Sequence, residues 1–340
     1  MPKDNENIPQ LIGPVAPSEP SGFLPQEMIR CDECLRANPP TRGNCLYCGV
    51  LLPHTESSAR LRKPTMRTPE KGQHGYNSVL VGQPALGEEM ASAASLLKLT
   101  PEQLQHLTSF GAPLPLARTA TRDEAELVLE RLRELGLETR TIGDAELGVG
   151  NGYVSRIRSF ALSDDGLTVL QEGLLEGEHL AWTDVLLLVI GRLHLKRVEL
   201  EERKSHKPEA EIISSSQFFA DEAVVDIYSS THSQTWRVSA NSFDFSCLGA
   251  EKSLITGENM TRLIKLLVAR ATNAEVDDAY SKLRQTLEPV WSCEQEVEAD
   301  GWRRSAPGKY SLSNVTTRSN EGQFTSYSRL RYFLKSTLPK

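Results

Sequence analysis

Residues 29–52 read IRCDECLRANPPTRGNCLYCGVLL. Cys31 and Cys34 make one C-x2-C pair, Cys45 and Cys48 make a second, and ten residues lie between them, so four thiolates can converge on one tetrahedral ion. Thiolates are soft ligands, an S4 tetrahedron suits zinc, and a shell closed by four protein sulfurs leaves no position for a substrate water. The spacing predicts a structural Zn2+ site held by Cys31, Cys34, Cys45 and Cys48, and it argues against metal catalysis there. His54, six residues beyond Cys48, is expected to be a solvated linker side chain because the shell is already complete.

Within this module Gly49 supplies the permissive backbone that a metal knuckle wants, and Asn38-Pro39-Pro40 turns the chain between the halves. The pattern C-x2-C-x3-N-P-x5-C-x2-C-G-x-L, carried by Cys31, Cys34, Asn38, Pro39, Cys45, Cys48, Gly49 and Leu51, resembles the short zinc ribbons that bacterial proteins carry at a terminus. The same spacing is similar to the RanBP2-type zinc finger, which implies binding to single-stranded RNA or ubiquitin. That family places a Trp two residues before its first cysteine, where this chain has Ile29. A base stacked on such a platform gains about 1 to 3 kcal/mol, so the plain ribbon is the reading carried forward.

Outward from the module, composition bounds the rest. The chain has 340 residues, enough for about two or three domains, and 39% apolar with 24% charged residues excludes fibrous, collagenous and wholly disordered classes. A net charge of −7 gives no global cationic field, so nucleic-acid binding would need a local patch and a protein partner is favoured. Only Cys247 and Cys293 lie outside the module, and isolated cysteines read as small buried apolar residues in a reducing compartment. With no basic-then-apolar leader and no apolar run near the ~20 residues of a membrane helix, no transmembrane segment is expected and the location reads as cytoplasmic.

The expected fold class is a multidomain α+β chain: an N-terminal zinc ribbon, a small β-α-β unit, and an antiparallel β-barrel-like domain closed by a C-terminal helix. The boundaries are a disordered, proline-rich leader (1–27), the ribbon (28–53), a flexible linker (54–99), the small α/β unit (100–150), the strand-rich domain (151–272) and a helical C-terminal extension (273–340). The linker carries Arg60, Arg62, Lys63 and Arg67, which with Arg36 and Arg42 of the ribbon make the candidate nucleic-acid contacts. In the α/β unit, Thr100-Pro101-Glu102-Gln103 is a capping box that opens a helix ending near Gly111. Thr121 and Glu124 cap a second helix with an apolar stripe from Ala125 to Leu135, stopped by Gly136 and flanked by strand-like PLPLART and LETRTIG. This β-α-β weakly resembles many small regulatory and scaffold folds, among them the C-terminal domain of the ribosomal stalk protein, and is too small to hold a core alone.

The glycines of GVGNGY (Gly148, Gly150, Gly152) read as a turn, because strand-like YVSRIRSFAL follows where a dinucleotide fingerprint needs a helix. Alternating segments then run to Phe245, and Met260, Leu263, Ile264, Leu267 and Val268 place a helix over about 257–271 behind Thr256. Strands closed by one amphipathic helix resemble the pleckstrin-homology-like barrel, which implies a peptide or lipid-headgroup ligand. The candidate headgroup cations Arg192, Lys196, Arg197, Arg203, Lys204 and Lys207 interleave with Glu199, Glu201 and Glu202, as on a solvated strand face. In the extension, a helix covers DDAYSKLRQTLEPVW and a second places Phe324, Tyr327, Leu330 and Leu334 or Phe333 on a core-facing stripe.

No phosphate loop, nucleophile elbow, H-E-x-x-H or kinase signature occurs, and the adjacent pairs Asp164-Asp165 and Asp277-Asp278 point their carboxylates apart. The sequence reading is therefore a non-enzymatic adaptor or regulator that presents its ribbon and PH-like domain to a protein partner. The alternative is single-stranded nucleic-acid binding by the zinc module and basic linker. Partner identity and oligomeric state are open at this stage.

Overall fold

The structure is a computed structural model that describes residues 22–53, 66–70, 72–82, 87, 89–149, 154–170, 177–204, 211–232, 234–299, 303–306 and 309–337. The chain forms two compact units, Met1–Pro64 and Thr65–Lys340.

In the first unit a single turn of 3-10 helix at Pro25–Glu27 precedes β1 (Ile29–Arg30), which pairs antiparallel with β2 (Ala37–Asn38). Its buried apolar core consists of Ile29, Cys31, Cys45 and Leu52. So few residues cannot offset chain entropy, and a unit of this size needs a staple. Residues 1–21 of the expected leader lie outside the described residues.

The second unit begins with a departure from expectation. Residues 76–80 and 90–97, assigned above to a flexible linker, form β3 (Tyr76–Leu80) and α1 (Met90–Leu97). Asn77 and Ser78 disguise the strand, because these polar residues are buried at its centre. Asn77 is satisfied by donating to the Ile142 carbonyl (3.2 Å) and Asp144 (2.8 Å) and by accepting from Trp291 Nε1 (2.9 Å).

Next come α2 (Pro101–Ser109), β4 (Pro115–Thr119), α3 (Arg122–Glu134), β5 (Thr139–Gly143) and α4 (Asp144–Leu147). The Thr100 capping box forms as expected, with Gln103 N–H on Thr100 Oγ1 at 3.2 Å and Thr100 N–H on Gln103 Oε1 at 2.8 Å. Thr121 caps α3 by accepting from Glu124 N–H, while the Glu124 carboxylate accepts from the Arg67 amide. Gly136 ends that helix region at φ +79°. β4 and β5 flank β3 and pair antiparallel to it, so the missing strand of the β-α-β unit comes from the stretch read as linker.

Strands β6 (Val154–Ile157), β7 (Ser159–Leu162), β8 (Gly166–Leu170), β9 (Glu178–Ala181), β10 (Val185–Lys204), β11 (Glu211–Ser229) and β12 (Thr235–Ser239) follow. After them come α5 (Thr256–Arg270), β13 (Glu275–Asp277), α6 (Tyr280–Leu287), β14 (Glu294–Ala299), β15 (Arg303–Ala306), β16 (Lys309–Ser319) and α7 (Glu321–Thr337). The main sheet runs β14-β16-β10-β11-β12-β6, with β13 added to β10 and β15 to β16, while β7-β8-β9 form a separate sheet. This is a curled half-barrel with open ends, not the ring of strands expected for a barrel. The supposed helical extension contributes four described strands, with β13 pairing with β10 at Leu187–Val189 and β16 with the outer half of β10 from Leu195 to Lys204.

The inner half of β10 explains why the unit holds together. Leu187, Val189 and Leu193 enter one core with Val79, Leu116, Leu132, Phe324 and Leu330, and Leu188 enters another with Trp236, Leu263 and Leu267. A strand covered on both faces reads as a continuous apolar run, which is what Val185–Ile190 is. The segments divided above into 100–150, 151–272 and 273–340 therefore share cores within one unit. α5 caps the second core through Met260, Leu263 and Leu267, and α7 buries Phe324, Tyr327, Leu330 and Leu334 in the first. Gly191 lets α7 seat, since a Cβ there would collide with the Phe324 ring.

Polar side chains clasp α7 as well. Arg237, 1% exposed, donates to both carboxylate oxygens of the fully buried Asp226 at 2.7 and 2.8 Å, and Ser328 on α7 donates to Asp226 at 2.7 Å. Arg237 also reaches Glu321 (3.2 Å) and Thr325 (3.1 Å). Burial works against the Arg237 cation, but Asp226 outweighs it and raises its pKa.

Candidate metal centre

β1 delivers the backbone straight into the first knuckle, and β2 brings Asn38 back beside it. One sulfur atom from each of Cys31, Cys34, Cys45 and Cys48 lies within 4.8 Å of every other. Cys31 and Cys48 sulfurs are 3.5 Å apart, and those of Cys34 and Cys45 are 3.4 Å apart. Ligand bonds of 2.3 Å around tetrahedral zinc place sulfurs about 3.8 Å apart, so the four side chains fit a closed metal shell with modest adjustment.

Backbone amides aim at this cluster. Tyr47 N–H donates to Cys45 Sγ at 3.4 Å, and the amides of Arg36 and Val50 face Cys34 and Cys48. Burial disfavours a Cys45 thiolate, but the amides of Cys48 and Tyr47 and the neighbouring thiols outweigh it and bring the group down to about 6. At Cys48 the Val50 amide works downward, yet burial and the other three thiols push the group up to about 12. The four thiols titrate as one interacting set, and because a metal takes thiolates its uptake releases protons, which makes metal uptake pH-dependent.

The two knuckles differ at the residue after their second cysteine. Gly49 adopts φ +77° at no steric cost, but Leu35 is held at φ +57°, a conformation disfavoured for a residue with a Cβ. Asn38 is fully buried, donating to Arg36 O at 2.9 Å and to Cys45 Sγ at 3.5 Å while accepting from Leu46 N–H at 2.8 Å. Sequence spacing marked Asn38 as part of the pattern but not as the group that orients the second knuckle.

Of the other candidates, Arg36 lies 4.7 Å over the ring of exposed Tyr47 and Arg42 is exposed. Arg60, Arg62, Lys63 and His54 lie outside the described residues. Arg67 belongs to the second unit, where its guanidinium meets Glu70 at 3.4 Å. Among the proposed headgroup cations, Arg192 pairs with Asp221 at 2.7 Å and Arg197 with Glu199 at 2.9 Å, which fits a solvated strand face. Gly148 ends α4 at φ +69°, and Gly150 and Gly152 lie outside the described residues.

No family model, curated protein or solved structure matches the chain. Its function must be read from its own chemistry. Burial raises the Cys247 thiol to about 11, and burial with Glu288 does the same at Cys293, so both stay protonated near neutrality. No helix among the described residues is long and apolar enough to cross a membrane.

Proposed function

We propose that this protein is a non-enzymatic, cytoplasmic adaptor in which a structural zinc ion, held by Cys31, Cys34, Cys45 and Cys48, shapes a surface for a protein partner. The observation that carries the reading is what surrounds the sulfurs. Leu35, Leu46, Tyr47, Val50 and Leu51 are all about half exposed in a unit whose own apolar core has four residues. A module that leaves more large apolar side chains outside than inside has a surface for association. The half-barrel with its α5 cap is the second presenting surface in this reading, in the manner of pleckstrin-homology-like domains.

The test is capture of a specific protein by the full chain, compared with Leu46→Asp/Leu51→Asp and with Cys45→Ser. The reading expects the double variant to keep one zinc per chain and lose capture, and Cys45→Ser to lose both. Capture that survives in the zinc-replete double variant overturns it. A second reading has one observation in its favour: Arg36 stacked on Tyr47 makes an exposed cation–aromatic platform on which an unpaired base can stack. Salt-sensitive anisotropy of a labelled single-stranded RNA, abolished in Tyr47→Ala, would move the assignment to nucleic acid.

A further inference from the structure

At the base of the sheet's outer half, a cavity of about 470 Å³ opens between β10, β11, β16 and α6. His194, Lys196, Phe219, Arg284, Glu288 and Arg318 are among its lining residues. That volume falls in the range of small-molecule pockets.

Its charges do not balance. Asp221 is engaged by Arg192 at 2.7 Å and by His194 at 3.5 Å, and Glu288 by Arg318 at 2.5 Å and by the Cys293 thiol at 3.0 Å. Both acids of the lining are therefore committed. Lys196 lies 5.4 Å from the Phe219 ring centroid with no carboxylate partner among the described residues. Arg284, half-buried on α6, has no hydrogen bond or ion pair from its guanidinium among them either. Two cations thus face the cavity uncompensated, in a chain of net charge −7. The imbalance reaches His194, whose pKa is lowered by burial and by Arg284, against the opposing pull of Asp221.

A half-buried cation without a counter-charge, as Arg284 is, is costly unless something supplies one, and the exposed Lys196 adds a second positive charge at the rim. A guanidinium presents a planar fork matched to carboxylate or phosphate oxygens, and the Phe219 ring, 64% exposed, offers an apolar wall beside it. We propose that this cavity binds a small organic anion, with Arg284 and Lys196 holding its carboxylate or phosphate group and Phe219 flanking its apolar part.

The experiment uses the full zinc-loaded chain with phenyl phosphate, benzoate and neutral benzyl alcohol, followed by ligand-observed NMR titration. At least one anion is expected to bind with a dissociation constant on the order of 1 mM or tighter, while the alcohol binds at least tenfold more weakly. Binding of phenyl phosphate alone assigns a phosphate ligand and binding of benzoate alone a carboxylate. Arg284→Met should weaken binding about ten- to a hundredfold, Lys196→Met should also weaken it, and Lys265→Met on α5 should not. An unchanged amide NMR spectrum away from the cavity shows that each variant is folded. Binding of neither anion, equal binding of the alcohol, or affinity kept within twofold in both Arg284→Met and Lys196→Met overturns the proposal.

Discussion

Four clustered sulfurs, a set that could hold a metal ion, lie at the centre of residues 28–53, whereas two apolar cores sharing a sheet hold residues 65–340. Among its described residues the first unit buries Ile29 and Leu52 as its only large aliphatic side chains; the second stacks cores on both faces of β10 and adds a buried ion pair where its last helix seats. The contrast teaches where each unit is vulnerable. A fold made by ligation depends on a single ion, and a fold made by burial depends on volume and on paired charges.

The largest expected effect separates the two directly. Cys45→Ser should abolish stoichiometric zinc and collapse the amide resonances of residues 28–53, because metal-binding free energy, about 10 to 16 kcal/mol in zinc peptides, is folding free energy there. Melting of the second unit should not move. The reverse experiment is Asp226→Ala, which removes the bidentate partner of the buried Arg237 cation and leaves it only the more exposed Glu321; it should cost about 3 to 5 kcal/mol in urea unfolding of the second unit, with zinc content unchanged. If either variant damaged both units equally, their independence would be wrong.

Smaller changes sharpen the comparison inside each unit. Leu35→Gly should relieve the left-handed strain of the first knuckle and Gly49→Ala should introduce it in the second. The two should shift zinc affinity in opposite directions by about 1 kcal/mol each, roughly fivefold in chelator competition. The smallest effect concerns acid. A hydrogen bond from Lys335 (2.7 Å) holds Glu275 below its ordinary pKa despite partial burial, with Arg331 assisting. A carboxylate depressed in the folded state contributes stability that is present above its unfolded pKa and lost as pH falls through the folded value. Lys335→Met should therefore lower the melting temperature slightly at neutral pH and leave it nearly unchanged in acid, flattening the acid limb of melting temperature against pH.

Local signals were legible where one short stretch carries the whole determinant. The cysteine spacing, the Thr100 and Thr121 caps, the stop at Gly136 and the stripe Phe324–Tyr327–Leu330–Leu334 depend on neighbours within a few residues, and the structure contains each of them. β3 was missed because Asn77 and Ser78 break its apolar pattern, and the partners of Asn77, Ile142, Asp144 and Trp291, lie 65 to 214 residues away. β14, β15 and β16 were missed because their sequences are largely polar and carry little alternating apolar signal, and they are specified by pairing with the outer half of β10 and with one another. Lys196 was named as a candidate cation, but the anion cavity was not visible, since Arg284 reaches it from a helix distant in the chain.

By itself the amino-acid order determined which four cysteines cluster and where Thr100 and Thr121 cap their helices. Those features follow from short-range stereochemistry and side-chain type. Only the tertiary structure decided that Thr65–Lys340 is one unit, that Asp226 and Arg237 neutralise each other in its interior, and that Lys196 and Arg284 share a cavity with no carboxylate paired to either among the described residues. Charge balance and core membership are sums over residues far apart in sequence, and the chain reveals them once it has folded.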